Sequence, residues 1–196
     1  MTSMRAFSAF DLLKFNNVNL VRRPAPQFAT AASSILRSRA CAQDPLTETY
    51  NMPFYLSYLA KWPDLCSTAE GPGGRAMGYV LGKAESFSEP NSWHGHVTAV
   101  TVPPEYRRLG MATQLMGMLE DGSERCHGWF VDLFVRKSNQ LAIDMYSKMG
   151  YTIYRRVIGY YSGEEDAYDM RKPLSRDVDK LSAVPLDHPV YPDDID

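Results

Sequence analysis

A chain of 196 residues with 44% hydrophobic content has enough apolar material for one folded domain with short extras. Its net charge of −2 carries no polycationic signature, which argues against direct nucleic-acid binding, and no apolar run approaches the roughly 20 residues that cross a bilayer. Cys41, Cys66 and Cys126 show neither paired spacing nor a CxxC, so the sequence argues against a disulfide framework or a metal site and for a reducing compartment, the cytoplasm.

Residues 4–7 read as a short strand. Ser8 with Asp11 three positions on gives a capping-box-like start for a helix over residues 9 to about 19. The opening stretch contains an acid and an amphipathic pattern, so it does not read as a signal peptide. A second helix is expected from residue 47 to about 61. Tyr50, Phe54, Tyr58 and Trp62 recur there at four-residue spacing and form an aromatic stripe, either core or a partner-binding face. Strands follow at 65–70 and 76–84 around the turn GPGG at 71–74. The stretch 93–102 alternates long enough for a central strand, and Pro103 and Pro104 end it. A helix over 109–120, a buried strand over 129–135 and a helix over 140–148 stopped by Gly150 come next. Residues 151–161 and 167–172 read as paired strands, and 174–196 as a polar, loosely held C-terminal tail.

Residues 21–43 do not fit this pattern. They hold four arginines, no acid and a run of alanine and serine, which would be a long structureless loop inside a compact domain. The composition is that of a transit peptide, but the position is internal. Val21 and Gln43 are ends that an in-frame translated intron can have. A retained intron and a lineage-specific loop are the two readings. The expected organisation is one domain over 1–173, interrupted at 21–43, followed by the tail at 174–196.

The strongest chemical signal is RRLGMA at 107–112, between a strand ended by two prolines and a helix. Free backbone N–H groups at a helix start attract phosphate oxygens, and the helix dipole adds to the attraction. Gly110 and Ala112 allow close approach, and Arg107 and Arg108 add charge-assisted bonds. Downstream stand FVDLFV at 130–135, Asn139 and YSKMGY at 146–151. In this order the motifs resemble the GNAT acetyltransferase family. The stretches DPLTETYNMPFYLSYLAKWP, WHGHVTAVTVPPEYRRLG and GWFVDLFVRKSNQLAIDMY resemble, within it, the catalytic subunits of NatB-type N-terminal acetyltransferases, and the resemblance covers nearly all of the chain except 21–43.

The resemblance implies an α/β GNAT fold: a central mixed, mostly antiparallel sheet with a splayed strand pair, flanked by helices. It implies acetyl-CoA as co-substrate, held by Val100, Val102, Arg107, Arg108, Leu109, Gly110, Met111, Ala112, Thr113, Asn139 and Tyr146. The substrates it implies are the N-termini of nascent polypeptides beginning Met-Asp, Met-Glu, Met-Asn or Met-Gln. It also implies a helical-repeat auxiliary subunit that brings the enzyme to the ribosome. Glu48, Tyr50, His96, Thr98, Tyr160 and Tyr161 match its peptide-groove positions, with Tyr146 and His96 as the catalytic candidates. From the residues themselves, period two sets His94, His96, Thr98 and Val100 on one strand face, where an imidazole and a hydroxyl suit a carboxylate or an amide. Direct transfer in a ternary complex needs no covalent intermediate, and none is signalled. Other readings stay open: a GNAT enzyme acting on small amines or lysine, or an inactive binding subunit whose groove the 21–43 segment splits.

Overall fold

A computed structural model describes residues 2–12, 20–22, 41–43, 50–87 and 91–195. The chain runs β1 (Ser3–Ala6), β2 (Leu20–Arg22), β3 (Cys41–Gln43), α1 (Met52–Lys61), β4 (Cys66–Glu70), β5 (Ala76–Glu85), β6 (His94–Thr101), α2 (Met111–Arg125), β7 (Phe130–Arg136), α3 (Gln140–Lys148), β8 (Thr152–Tyr161) and β9 (Glu165–Pro173). Seven strands form one sheet in the order β1-β4-β5-β6-β7-β9-β8, in which only β6 and β7 pair in parallel. The expected mixed, mostly antiparallel sheet is therefore present.

Helices α1 and α3 begin where a side chain replaces a missing backbone partner. The Asn51 side chain accepts the Phe54 N–H and starts α1, with Pro53 in its first turn; Asn139 does the same for α3 through the Ala142 N–H. Gly150, at φ 93°, follows α3 in the left-handed conformation expected of a helix stop. Near the N-terminus, Asp11 accepts bonds from the Ser8 N–H and hydroxyl at 2.9 Å, as its spacing suggests. The expected helix over 9–19 lies largely outside the described residues, as do residues 47–49 of the next one.

The sheet separates two cores. On one face α2 and α3 bury Leu115, Met116, Leu119, Ile143 and Tyr146 against Val80, Val97, Val131 and Leu133. On the other, α1 lays its aromatic stripe down: Tyr50 stacks on Phe54 at 4.1 Å, Phe54 meets Tyr58 at 4.4 Å, and Tyr58 meets Trp62 at 5.0 Å. Tyr58 of the stripe is buried in this core, and Tyr50, Phe54 and Trp62 pack half-buried against it.

Three expectations change. First, α2 extends five residues past 120, through Asp121-Gly122-Ser123, which reads as a stop. Gly122 instead permits close packing: a Cβ there would lie 2.8 Å from both the Asp64 carbonyl and Leu65 Cδ2. Second, Leu81 faces Ala99 but Gly82 faces Val97, so Thr98 is an extra, bulged residue. The bulge resets the alternation. His94, His96 and Thr98 share the α1 side, whereas Val100 lies with Val97 on the α2 side. Third, residues 174–195 are held, not loose. Asp177 is buried and accepts bonds from the N–H groups of Leu181 and Ser182, while Val190 runs beside β8, its N–H donating to the Arg156 carbonyl and its carbonyl accepting from the Ile158 N–H. Composition concealed this because the anchoring bonds are backbone bonds.

The central strand approaches α2 at Gly95, where a Cβ would fall 2.0 Å from Ser123 Oγ and 2.8 Å from its Cβ, both on a buried residue. We expect Gly95→Ala to cost about 2–3 kcal/mol through overpacking, seen as a lowered urea midpoint at unchanged slope.

Candidate active site

The parallel pairing of β6 with β7 covers only His94–Val97 and Phe130–Leu133. Beyond it β7 stays with β9 through Arg136, while β6 continues with β5, so the two strands part. A cleft of about 100 Å³ opens between them, walled by Thr98 to Thr101 of β6, Phe134 to Arg136 of β7, and Asn139, Ala142 and Tyr146 of the α3 segment. Backbone N–H and C=O groups of the parted β6 segment face this space without a strand partner on that side, ready for an extended ligand.

After the end of β6 comes the bend before α2. Arg108 (φ 63°) and Gly110 (φ 77°) are both left-handed, which is uncommon for the arginine. Leu109 is 61% exposed, Arg107, Arg108 and Thr113 are exposed, and Met111 is buried beneath them. The Arg107 Nε–H donates to the Val102 carbonyl at 2.9 Å, tying the bend to the end of β6. A Cβ at Gly110 would find only Gln114 Nε2, 3.9 Å away, so the space before the helix is open. The Gln114 N–H bonds Gly110, leaving those of Met111, Ala112 and Thr113 ahead of the first helical acceptor. Val100 lines the cleft, whereas Val102, half-buried, packs on the core.

Tyr146 reaches this cleft from α3, with its ring edge-on to Tyr151 at 6.0 Å. Burial pushes its phenol well above the usual tyrosine range, so it holds its proton at neutral pH. Asn139 combines two duties: its side-chain oxygen caps α3, which leaves its amide N–H groups available at the cleft.

On the α1 side a second, wider cleft of about 460 Å³ is lined by Lys83, Glu85, His96, Phe134 and Tyr160 among others. His96, half-buried, donates from Nδ1 to Asp132 Oδ1 at 2.8 Å. The Thr98 hydroxyl donates to Tyr58 Oη at 3.0 Å, and the Tyr50 hydroxyl donates to the Thr98 carbonyl at 3.4 Å. Tyr50 and Thr98 are therefore joined, whereas His96, on the same strand face, is bonded to Asp132. The tyrosine pair is divided, because neighbouring strand residues point to opposite faces. Tyr160 stacks on Phe134 at 4.6 Å in the wide cleft, whereas Tyr161 lines the narrow one, its hydroxyl donating to the Phe134 carbonyl and its ring lying 4.0 Å from the Arg136 guanidinium. Glu48 lies outside the described residues.

Sequence reasoning missed the charges behind His96. Asp132 is fully buried on β7; burial favours its neutral form, but His96, His94 and Arg171 outweigh that and hold it below the usual carboxylate range. Asp169 beside it is pushed up by burial and by the Asp132 charge, despite Arg171 and Arg155, which both donate to it. An acid inside the apolar run FVDLFV was the available signal, since strand interiors exclude unpaired carboxylates. Among the described residues no cluster of His, Cys, Asp or Glu suits a metal ion, Cys66 and Cys126 are free thiols, and no helix is long and apolar enough to cross a membrane.

A family model described as "Acetyltransferase (GNAT) family" matches residues 36–151. The N-terminal acetyltransferase B complex catalytic subunit NAA20 of Arabidopsis thaliana is 54% identical over 197 residues, covering 100% of this chain and 99% of that protein. The crystal structure of Chaetomium thermophilum Naa20 in complex with a bisubstrate analogue superposes with a TM-score of 0.79 at 40% identity, over 97% of each chain. A chain of the NatB acetyltransferase complex bound to CoA and MES superposes at 0.70 with 38% identity, over 88% of this chain and 99% of that one.

The capping and lining roles of α3 separate by mutation. Asn139→Ala, which removes the acceptor for the Ala142 N–H, is expected to cost about 1 kcal/mol in chemical denaturation, whereas Tyr146→Phe, which keeps the ring, changes stability by less than about 1 kcal/mol.

Proposed function

Because the chain belongs to the acetyltransferase (GNAT) family, and within it to the catalytic subunits of N-terminal acetyltransferase B, we propose that its two clefts serve one reaction, meeting where β6 and β7 part. The enzyme transfers the acetyl group of acetyl-CoA to the α-amine of polypeptides that begin Met-Asp, Met-Glu, Met-Asn or Met-Gln. The observation that carries this reading is the parting of β6 from β7, with the open bend at Gly110 tied to the end of β6 and a second groove on the other face.

The bend residues Arg107 to Thr113 bind the pyrophosphate through backbone N–H groups and guanidinium charge. The parted edge of β6, with Val100 and Val102, guides the pantetheine arm, and the Asn139 amide fixes it near its end. An α-amine of pKa about 7.7–8.0 is already substantially neutral near pH 7.5, so the site must mainly position it and pass on one proton. The amine nitrogen bonds to the acetyl carbon, the carbon–sulfur bond breaks, and Tyr146, protonated because it is buried, donates to the departing sulfur. The amine proton leaves through water held in the groove. His96 and Thr98 meet the second side chain of the substrate, and Tyr50, Tyr160 and Glu48 border the chain beyond it. In this reading the subunit works in the cytoplasm with a large helical-repeat auxiliary subunit that docks it at the ribosome.

The 21–43 segment is read as an insertion into the chain between residues 20 and 44. Leu20 pairs with Gln43 and Arg22 with Cys41, so its two ends lie side by side and the flanking chain can close without it. Joining Leu20 to Asp44 is expected to leave acetyl-CoA affinity within about twofold while peptide turnover rises; equal loss of both would contradict the assignment.

A peptide panel tests the function. Met-Asp peptides should be acetylated in preference to Ser-starting peptides, free lysine and small amines, with and without the auxiliary subunit, and turnover of small amines alone would remove the proposal. Tyr146→Phe should lower kcat by about 100-fold with little change in KM for acetyl-CoA. Gly110→Val, forced into a left-handed conformation and crowding the phosphates, should weaken acetyl-CoA binding by at least about tenfold in calorimetry.

A further inference from the structure

Asp132 sits at the centre of the sheet with no exposed surface, and the hydrogen bond it takes from His96 Nδ1 fixes which imidazole nitrogen faces the groove. An ionised carboxylate only accepts, so Nδ1 must carry the proton and Nε2 is left toward the wide cleft. A neutral His96 held this way presents a lone pair, which suits an amide N–H of asparagine or glutamine and repels a carboxylate. Its protonated form presents a charged N–H, which suits aspartate or glutamate. We propose that the His96–Asp132 pair makes the enzyme's choice between acidic and amide second residues depend on pH, with Asp132 as the positioning residue. This rests on the reading that His96 meets the second side chain.

Several charged and titratable groups face His96 from the elements packed against it. From β5, Lys83 and Glu85 face it and pair with each other, with Glu85 Oε1 3.8 Å from His96 Nδ1. On its own strand His94 lies between the rings of Phe87 and Phe130, donates from Nδ1 to the Ser92 carbonyl at 2.6 Å, and keeps Nε2 3.6 Å from the same Asp132 oxygen. From β9, Asp169 and Arg171 stand behind Asp132, with Arg155 of β8 bonded to Asp169. Tyr160 of β8 is raised by burial and by the Asp132 and Glu85 charges, so it stays neutral, and Tyr58 of α1 is occupied by Thr98. Asp132 Oδ2 and His94 Nε2 have no hydrogen-bond partner among the described residues, so the carboxylate's electrostatic support comes from the cations around it.

The test measures kcat/KM for a Met-Asp and a Met-Asn peptide of otherwise identical sequence, with the full chain and its auxiliary subunit, from about pH 5.5 to about pH 8.5, the span over which imidazole groups change charge. The α-amine titrates in both peptides alike and cancels in the ratio, and the aspartate is ionised throughout. The Met-Asp to Met-Asn ratio should fall by about tenfold or more as pH rises, through KM rather than kcat. A flat ratio in the wild-type enzyme overturns the proposal. His96→Gln, which carries donor and acceptor at every pH, should flatten it. If His96→Gln keeps the wild-type profile, the reading that His96 meets the second residue fails instead. Asp132→Asn should move the fall to lower pH, because the imidazolium loses its countercharge. Equal loss of turnover on both peptides with an unmoved profile would mean that Asp132 only supports the fold. Should that variant not fold, the wild-type and His96→Gln profiles still decide.

Discussion

Everything in this molecule depends on a hydrogen-bonded ladder that stops halfway. β6 and β7 are joined over four residues each and then separate, and the separation is enforced from both sides. β7 remains zipped to β9 along its whole length, and β6 continues with β5 on its other side. A parallel pair that stayed closed would bury the backbone groups an extended ligand requires. The cost of leaving them unpaired inside a folded domain is tolerable only where a ligand or water can satisfy them, which is why the opening coincides with the reacting centre.

The bulge at Thr98 works with this separation. One extra residue in β6 turns Val100 towards the α2 side and leaves His96 and Thr98 on the α1 side, so a single strand contributes to clefts on opposite faces of the sheet. The adjacent tyrosines of β8 are divided in the same manner, Tyr160 to the groove and Tyr161 to the cleft. Between the two stands Phe134, stacked on Tyr160 and holding Tyr161 through its carbonyl. Phe134 is thus a wall common to both clefts.

The elements were largely readable because their signals are local. The glycine stop at 150, the prolines after β6 and the aromatic spacing of α1 each act within a few residues, and the RRLGMA bend is itself a local motif, whereas the Asn51 cap, which starts α1 at Met52 and not at 47, was not read. What could not be read depends on distant partners. The Thr98 bulge exists only relative to β5, the run through Gly122 in α2 only because Asp64 and Leu65 press against it, and the division of the tyrosines only once the strand faces are known. Asp132 was visible as an anomaly in an apolar strand, but the histidines and arginines that keep it charged come from other strands. The tail at 174–195 has the composition of a solvated segment and is held by bonds that composition does not record.

That tail lies on β8, the outermost strand of the sheet, where it meets the outward-facing backbone from Tyr154 to Ile158 through Leu186 and Val190. An uncovered outer strand of ten residues is a template on which a second copy can add itself, copy after copy. The tail therefore acts as a selvedge, finishing the sheet where it would otherwise unravel into self-association.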